Sequence, residues 1–470
     1  MAHESLDRTI ADYVNNHWDD VIADIDALVQ IESVERLDEA TPNAPYGPGP
    51  RAALTCALDI AKRMGFQTRD CEGRIGFADM PGTSDTQVGI IGHVDVVPAG
   101  PGWTHPPFQV TRKEGYLIGR GVADDKGPIV VALHAAKFWR DRLTLEGAAF
   151  PYTLRILFGA NEETNMKDVA YYREHFDDPA FLFTPDAEFP VCYGEAGICS
   201  GTLASAPIDG GAIVRIEGGT AVNAVPGQAE AELACDAARL QPADKISVEP
   251  SGKRTLVHAQ GKSAHASTPD AGESAIDLLA EHLLSADVIS DDERRFLELV
   301  RVVTAHTDGS ELGITASDEH FGALSCVGGT IRSDGNRIYL SIDFRYPTTI
   351  TSTEIADRVQ RAAERYGAAF ALEHDKEPFL MDPSSAPVQA LLEAYNDATG
   401  ECAEPFTMKG GTYARVFTTG VSFGPEKPWE PKPSWVGSMH GPDEGIREDL
   451  LKQAFSIYVR TIAGLMETVL

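Results

Sequence analysis

A chain of 470 residues with 71 acidic and 40 basic side chains carries a formal net charge of −31, which disfavours nucleic acid and anionic membrane surfaces as partners. At 43% hydrophobic and 24% charged it has the composition of an ordinary globular protein, and its length exceeds one ordinary core, so two domains are expected. The seven cysteines are scattered, odd in number and form no CxxC pair, which speaks against a disulfide framework and for a reducing compartment. Met1-Ala2-His3-Glu4-Ser5 begins no basic-then-apolar leader, and no run approaches the roughly 18 apolar residues of a membrane span, so a cytoplasmic protein without membrane contact is expected.

Apolar residues recur at helical spacing over residues 5–33 and predict a first helix. A Pro/Gly-rich loop (42–50), a second helix (52–64) and strands at 67–77 and 88–92 follow. A proline-rich loop over 98–107 precedes a glycine-framed turn, Gly119 to Asp125, and a helix over 127–140 with Pro128 near its start. The apolar strand 153–160 runs into Asn161-Glu162-Glu163, and the strand 181–184 runs into Pro185-Asp186. This alternation predicts an α/β domain with a mostly parallel sheet, helices on both faces and polar motifs at its strand ends. After about Gly197 the pattern changes to α+β: strands over 199–260, helices over 273–303, a hairpin over 323–346, a helix over 352–366 and a strand over 368–374. The first pattern resumes near Met381, with helices at 386–398 and 446–468. The chain thus divides into a discontinuous domain, 1–197 and 382–470, and an inserted α+β domain, 198–381.

The short apolar run Val88 to Gly92 ends in His93-x-Asp95, and the turn after Gly119 carries Asp124 and Asp125. A lone Glu-Glu pair is usually surface and a lone histidine is rarely a ligand. Acids and imidazoles at several strand ends of one sheet converge, however, and suit zinc and its neighbours. Asp125 also reads as a structural turn residue, His265 as a loop histidine, Arg345 as a surface ion-pair partner and Gly410 to Thr412 as a tight turn.

The motifs His93-x-Asp95-x-x-Pro98, Gly119-Arg120-Gly121-Val122-Ala123-Asp124-Asp125-Lys126-Gly127, Asn161-Glu162-Glu163, Pro185-Asp186 and Met439-His440-Gly441-Pro442-Asp443-Glu444 occur in the order of a known family. In that order the chain resembles the di-zinc peptidases that include carboxypeptidase G, aminoacylases and succinyl-diaminopimelate desuccinylase. It is most similar to the bacterial dipeptidase V group, also called Xaa-His dipeptidases. Gly261 to Pro269 and Gly410 to Arg415 extend the likeness across the chain.

The resemblance implies two divalent metal ions, zinc first, with manganese or cobalt as alternatives. Asp124 would bridge them, His93 and Asp186 would complete one site, and Glu163 and His440 the other. Glu162 would be the general base, and Asp95 would orient His93. A cis peptide between Asp124 and Asp125 is also expected. The inserted domain would act as a lid, with His265 donating to the oxyanion, and Asn223, Arg345, Gly411 and Thr412 facing the substrate. Charge supports the ligand set: two divalent ions against Asp124, Glu163 and Asp186 leave one positive charge, which a bridging hydroxide balances, and metal coordination brings a water pKa to about 7. A carboxylate beside that water can carry its proton to the leaving amine, and one beside a ligand histidine can fix its ring.

The expected activity is hydrolysis of dipeptides by a monomeric metallopeptidase acting on small peptides. The alternative within the family is an N-acyl-amino-acid deacylase or a carboxypeptidase. A non-catalytic metal binder would have no use for Glu162 and His265. A nucleotide site is weaker still, because acids follow Gly119-x-Gly121 where phosphates would sit.

Overall fold

Parallel strands with apolar residues on both faces organise the first part of the chain. The protein, seen in a computed structural model, is described over residues 2–470, with side chains from Leu6 onward. In chain order its first elements are α1 (Ala2–Val29), α2 (Pro48–Arg63), β1 (Gln67–Cys71), β2 (Ile75–Met80), β3 (Gln87–His93), β4 (Thr111–Lys113), β5 (Tyr116–Ile118), α3 (Lys126–Glu146), β6 (Thr153–Gly159), α4 (Lys167–His175) and β7 (Phe181–Thr184). Contacts divide the chain into two units. The first comprises Met1–Tyr193, Leu380–Phe406 and Thr412–Leu470, and the second Gly194–Phe379 and Thr407–Gly411. The short return at Thr407–Gly411 was not expected from the sequence.

In the first unit the strand order runs β1-β2-β6-β3-β7 and on to Gly420–Ser422. The pairs β6-β3 and β3-β7, and that of β7 with Gly420–Ser422, are parallel. The flanking pairs β1-β2 and β2-β6 are antiparallel. Alternate side chains face opposite sides of a strand. Ile90, Ile156 and Phe183 enter one core with α1, α2, α3 and the helices Ala386–Thr399 and Glu448–Glu467. Ile91, Leu157 and Leu182 enter another, with Val169 and Tyr172 of α4 and with Tyr413. Each such side chain contributes about 1.5–3 kcal/mol on burial, which makes β3 costly to shift by one residue.

Two expectations change here. The single strand over 67–77 is the hairpin β1-β2, reversed at Glu72 and Gly73, whose φ values are 56° and 70°. Two consecutive left-handed residues make a tight hairpin turn, and the glutamate in the first position hid it. The Asp124–Asp125 turn, grouped above with the strand ends of the sheet, follows β5 instead. β5 belongs to a separate three-stranded sheet with β4 and Gly445–Arg447.

The second unit is built on an antiparallel sheet ordered Ile246–Ser251, Arg254–Gln260, Gln228–Leu233, Ile213–Gly218, Ser325–Asp334, Arg337–Tyr346, Gly197–Ala204 and Ala369–Lys376. The helices Ala275–Ser285, Asp291–Thr304 and Ser352–Arg365 bury Leu279, Leu283, Phe296, Val300, Ile355 and Val359 in its core. The latter two helices open with capping boxes, Ser290 with Glu293 and Thr351 with Glu354. Among the described residues no helix is long and apolar enough to cross a membrane.

Candidate metal centre

Within the first unit, β3, β6 and β7 run parallel, so their C-terminal ends lie at one edge of the sheet, where α/β folds place ligands. Register sets His93 opposite Gly159, and Asn161, Glu162 and Glu163 leave β6 just beyond it. Asp186 follows the end of β7 in the same way. Asp124 arrives from the turn after β5, joined to Asp125 by a cis peptide. α3 starts at the next residue, so the positive end of its dipole faces these acids.

Asp124 is the meeting point. Its Oδ1 lies 2.9 Å from His93 Nε2, and its Oδ2 lies 2.9 Å from His440 Nε2. His440 Nε2 is also 3.1 Å from Glu163 Oε2, and His93 Nε2 is 3.7 Å from Asp186 Oδ2. Ligand atoms of His93, Asp124 and Glu163 lie within 4.8 Å of one another, as do those of His93, Glu162 and Asp186. Glu162 therefore sits among the potential ligands, and distance alone does not separate a base from a ligand.

The supports around these groups are polar and buried. Asp125 caps no backbone group of its own helix; its Oδ2 accepts the His93 N–H at 3.1 Å. A Cβ on Gly92 would run into that carboxylate, which is why a glycine precedes His93. His93 Nδ1 is 3.0 Å from the backbone carbonyl of Asp95 and 3.6 Å from its Oδ1. Asp95 therefore orients the ring mainly through its main chain. Its carboxylate accepts the N–H groups of Glu162 and Glu163, at 3.2 and 3.1 Å. Asp168 Oδ2 accepts from Ala160 and Asn161, at 2.7 and 3.0 Å, and from the Tyr413 hydroxyl. Lys126, fully buried beside the turn, donates to the carbonyls of Leu28 and Ile31, at 3.0 and 2.8 Å, and burial pulls its ammonium down to about 7.

The electrostatics follow from burial and crowding. Burial raises the carboxyl groups of Glu162, Glu163 and Asp186; repulsion from Asp124 adds to all three. Burial works against the charge of Asp124 too, but hydrogen bonds from His440 and His93 hold it well below the usual carboxylate range. Hydrogen bonds to Asp124 and Glu163 raise His440. Hard oxygens and imidazole nitrogens packed this closely fit divalent cations, which neutralise the repulsion.

The remaining expected site residues are placed as follows. Thr412, in the first unit, is buried, with its Oγ1 2.9 Å from Ser422 Oγ. Asn223, His265, Arg345 and Gly411 belong to the second unit. Asn223 adjoins a two-residue strand in which Ala224 pairs with His265, and both Asn223 and His265 are exposed. Arg345 is buried against Asp343, with Nε 2.7 Å from Oδ1, and gives Nη1 to the Lys409 carbonyl at 3.0 Å. Asp343, Asp168, Arg120 and Glu444 had no role in the sequence reading. Arg120 and Glu444 lie inside quoted motifs, but nothing in their spacing says what they hold.

The model of peptidase family M20/M25/M40 matches residues 89–464. The chain is 32% identical over 461 residues to a putative dipeptidase, YtjP, of Bacillus subtilis, covering 94% of this chain and 96% of that one. It is 32% identical over 481 residues to a Beta-Ala-Xaa dipeptidase of Lactobacillus delbrueckii subsp. lactis, covering 97% and 98%. Human carnosine dipeptidase 1 has a similar fold, with a TM-score of 0.60 at 15% identity over 98% of this chain and 100% of that one. The chain belongs to peptidase family M20/M25/M40, a family of metal-dependent hydrolases of peptide bonds.

Proposed function

We propose that the protein is a dipeptidase with two divalent ions, zinc first, at the edge of the parallel sheet. Asp124 carries the reading: its two oxygens face two different imidazoles, His93 on one side and His440 on the other. A carboxylate so placed is suited to bridge. His93 and Asp186 would then hold one ion, and Glu163 and His440 the other. When bound, the ions polarise the peptide carbonyl and acidify a water.

The chain's own residues do the rest. Glu162 takes the proton of the attacking water and passes it to the leaving amine nitrogen. Burial, which favours its protonated form, suits a group that must hold a proton between the two steps. Asp95 keeps Glu162 in position through its backbone N–H, and Asp125 and the Asp95 carbonyl keep the His93 ring in one orientation. We assign oxyanion donation to His265, and substrate contact to Asn223, Arg345, Gly411 and Thr412. Exposure of His265, and of Asn223 next to the residue that pairs with it, supports their part in this, whereas Arg345 already shares its guanidinium with Asp343 and Lys409. The second unit is assigned the role of lid, and the protein that of a monomer.

Stripping the protein of metal and restoring zinc, manganese or cobalt tests this directly. Dipeptides, a tripeptide and N-acyl amino acids are assayed side by side. Metal-restored cleavage of dipeptides alone is expected. Cleavage of N-acyl amino acids with dipeptides untouched would make the protein a deacylase.

A further inference from the structure

The loop that carries His440 and the turn that carries Asp124 are tied to each other by two side chains that touch neither imidazole. Glu444, fully buried, comes from the His440 loop. Its Oε1 accepts the N–H groups of Gly121, Ala123 and Asp124, at 3.0, 3.1 and 3.3 Å. Its Oε2 pairs with the guanidinium of Arg120, which is also buried and comes from the Asp124 turn. Arg120 Nη2 reaches back to the carbonyls of His440 and Gly441, at 3.1 and 3.3 Å. Each segment thus sends one charged side chain into the backbone of the other.

His440 needs such a tie. It stands in the left-handed region, at φ 64°, on a loop with an exposed side chain, and no strand register fixes its ring. We infer that Arg120 and Glu444 are positioning residues that set the distance between Asp124 and His440. On the proposed two-ion reading, which this inference presupposes, they bear more strongly on the ion that Glu163 and His440 would hold than on the one that His93 and Asp186 would hold. Both ions would share Asp124, whose N–H Glu444 also accepts, so the asymmetry comes from the histidines: His93 is held by β3, Asp125 and the Asp95 carbonyl and by neither member of the clamp, whereas the His440 loop is held by both.

Glu444→Gln keeps an oxygen for the three N–H groups but turns an N–H₂ toward Arg120, so the guanidinium loses its anchor. Glu444→Ala removes both contacts. Arg120→Lys keeps a charge beside Glu444 but loses the fork that spans Glu444 and two carbonyls. Calorimetric titration of the metal-free full chain with Zn²⁺ reads the two sites, and circular dichroism melts report folding. The wild type is expected to take two equivalents. Glu444→Gln and Arg120→Lys should weaken one equivalent by about 10-fold and Glu444→Ala by about 100-fold, with the other equivalent, which shares Asp124, weakened several-fold less. The Co²⁺ absorption spectrum should change more for one ion than for the other.

Two unaltered equivalents in folded variants, or equal weakening of both, would overturn the clamp. Wild-type protein that takes fewer than two equivalents would overturn the two-ion reading instead. If Glu444→Ala fails to fold, the two conservative variants decide.

Discussion

His93 and His440 offer their Nε2 atoms to the same carboxylate at the same distance, 2.9 Å, yet they are held in opposite ways. His93 ends a strand buried between two parallel neighbours, and its side chain has no exposure. His440 sits on a loop, in a left-handed backbone conformation, with 55% of its side chain exposed. One imidazole inherits its place from sheet register and hydrophobic burial. The other depends on hydrogen bonds and ion pairs reaching across from separate parts of the chain. The difference teaches that a single centre can have one side made rigid by the core and another made adjustable by side chains.

The comparison can be broken at its chemical centre first. Glu162→Gln should keep its zinc content and lose about 10²–10⁴-fold in kcat, measured on a dipeptide beside elemental analysis. Retained turnover would remove Glu162 as the base.

The strand-borne side can then be probed through pH. Burial, helped by Asp95, pushes Asp168 up to about 6 from a usual 3.8. Between about pH 4 and 6 the folded chain keeps this proton while the unfolded chain releases it, so stability falls as pH rises through that window. Asp168→Asn does not titrate there. The wild type should lose about 3 kcal/mol relative to this variant over the window, read from urea midpoints. Parallel pH profiles would show that Asp168 ionises normally.

Asp95→Asn removes one of the two acceptors that hold the Glu162–Glu163 backbone. A loss of about 10–100-fold in kcat/KM or zinc affinity is expected. A wild-type value would mean that the main chain alone fixes the turn.

The smallest effect sharpens the contrast itself. Added imidazole should restore part of the activity of His440→Gly, because that site opens to solvent, and none of the activity of His93→Gly. Equal rescue, or rescue of His93→Gly alone, would reverse the distinction between a rigid and an adjustable side.

The strand-borne half of the centre was legible in the amino acids because hydrophobic runs are local signals. Val88 to Gly92 and Thr153 to Gly159 announce buried strands, and the polar residues that follow them must emerge at one edge if the strands are parallel. The motif order then supplied His440 by resemblance, although nothing around it reads as a strand. Tertiary structure decided the rest. It turned residues 67–80 into a hairpin through two left-handed residues, and it placed the Asp124 turn on a small separate sheet. It gave the Asp95 carboxylate to two backbone N–H groups rather than to the His93 ring. It also joined Arg120 to Glu444 across 324 positions of sequence. Such contacts leave no periodic trace, because a buried charge is placed by whichever partner the folded chain brings to it, and that partner is set by topology rather than by neighbouring residues.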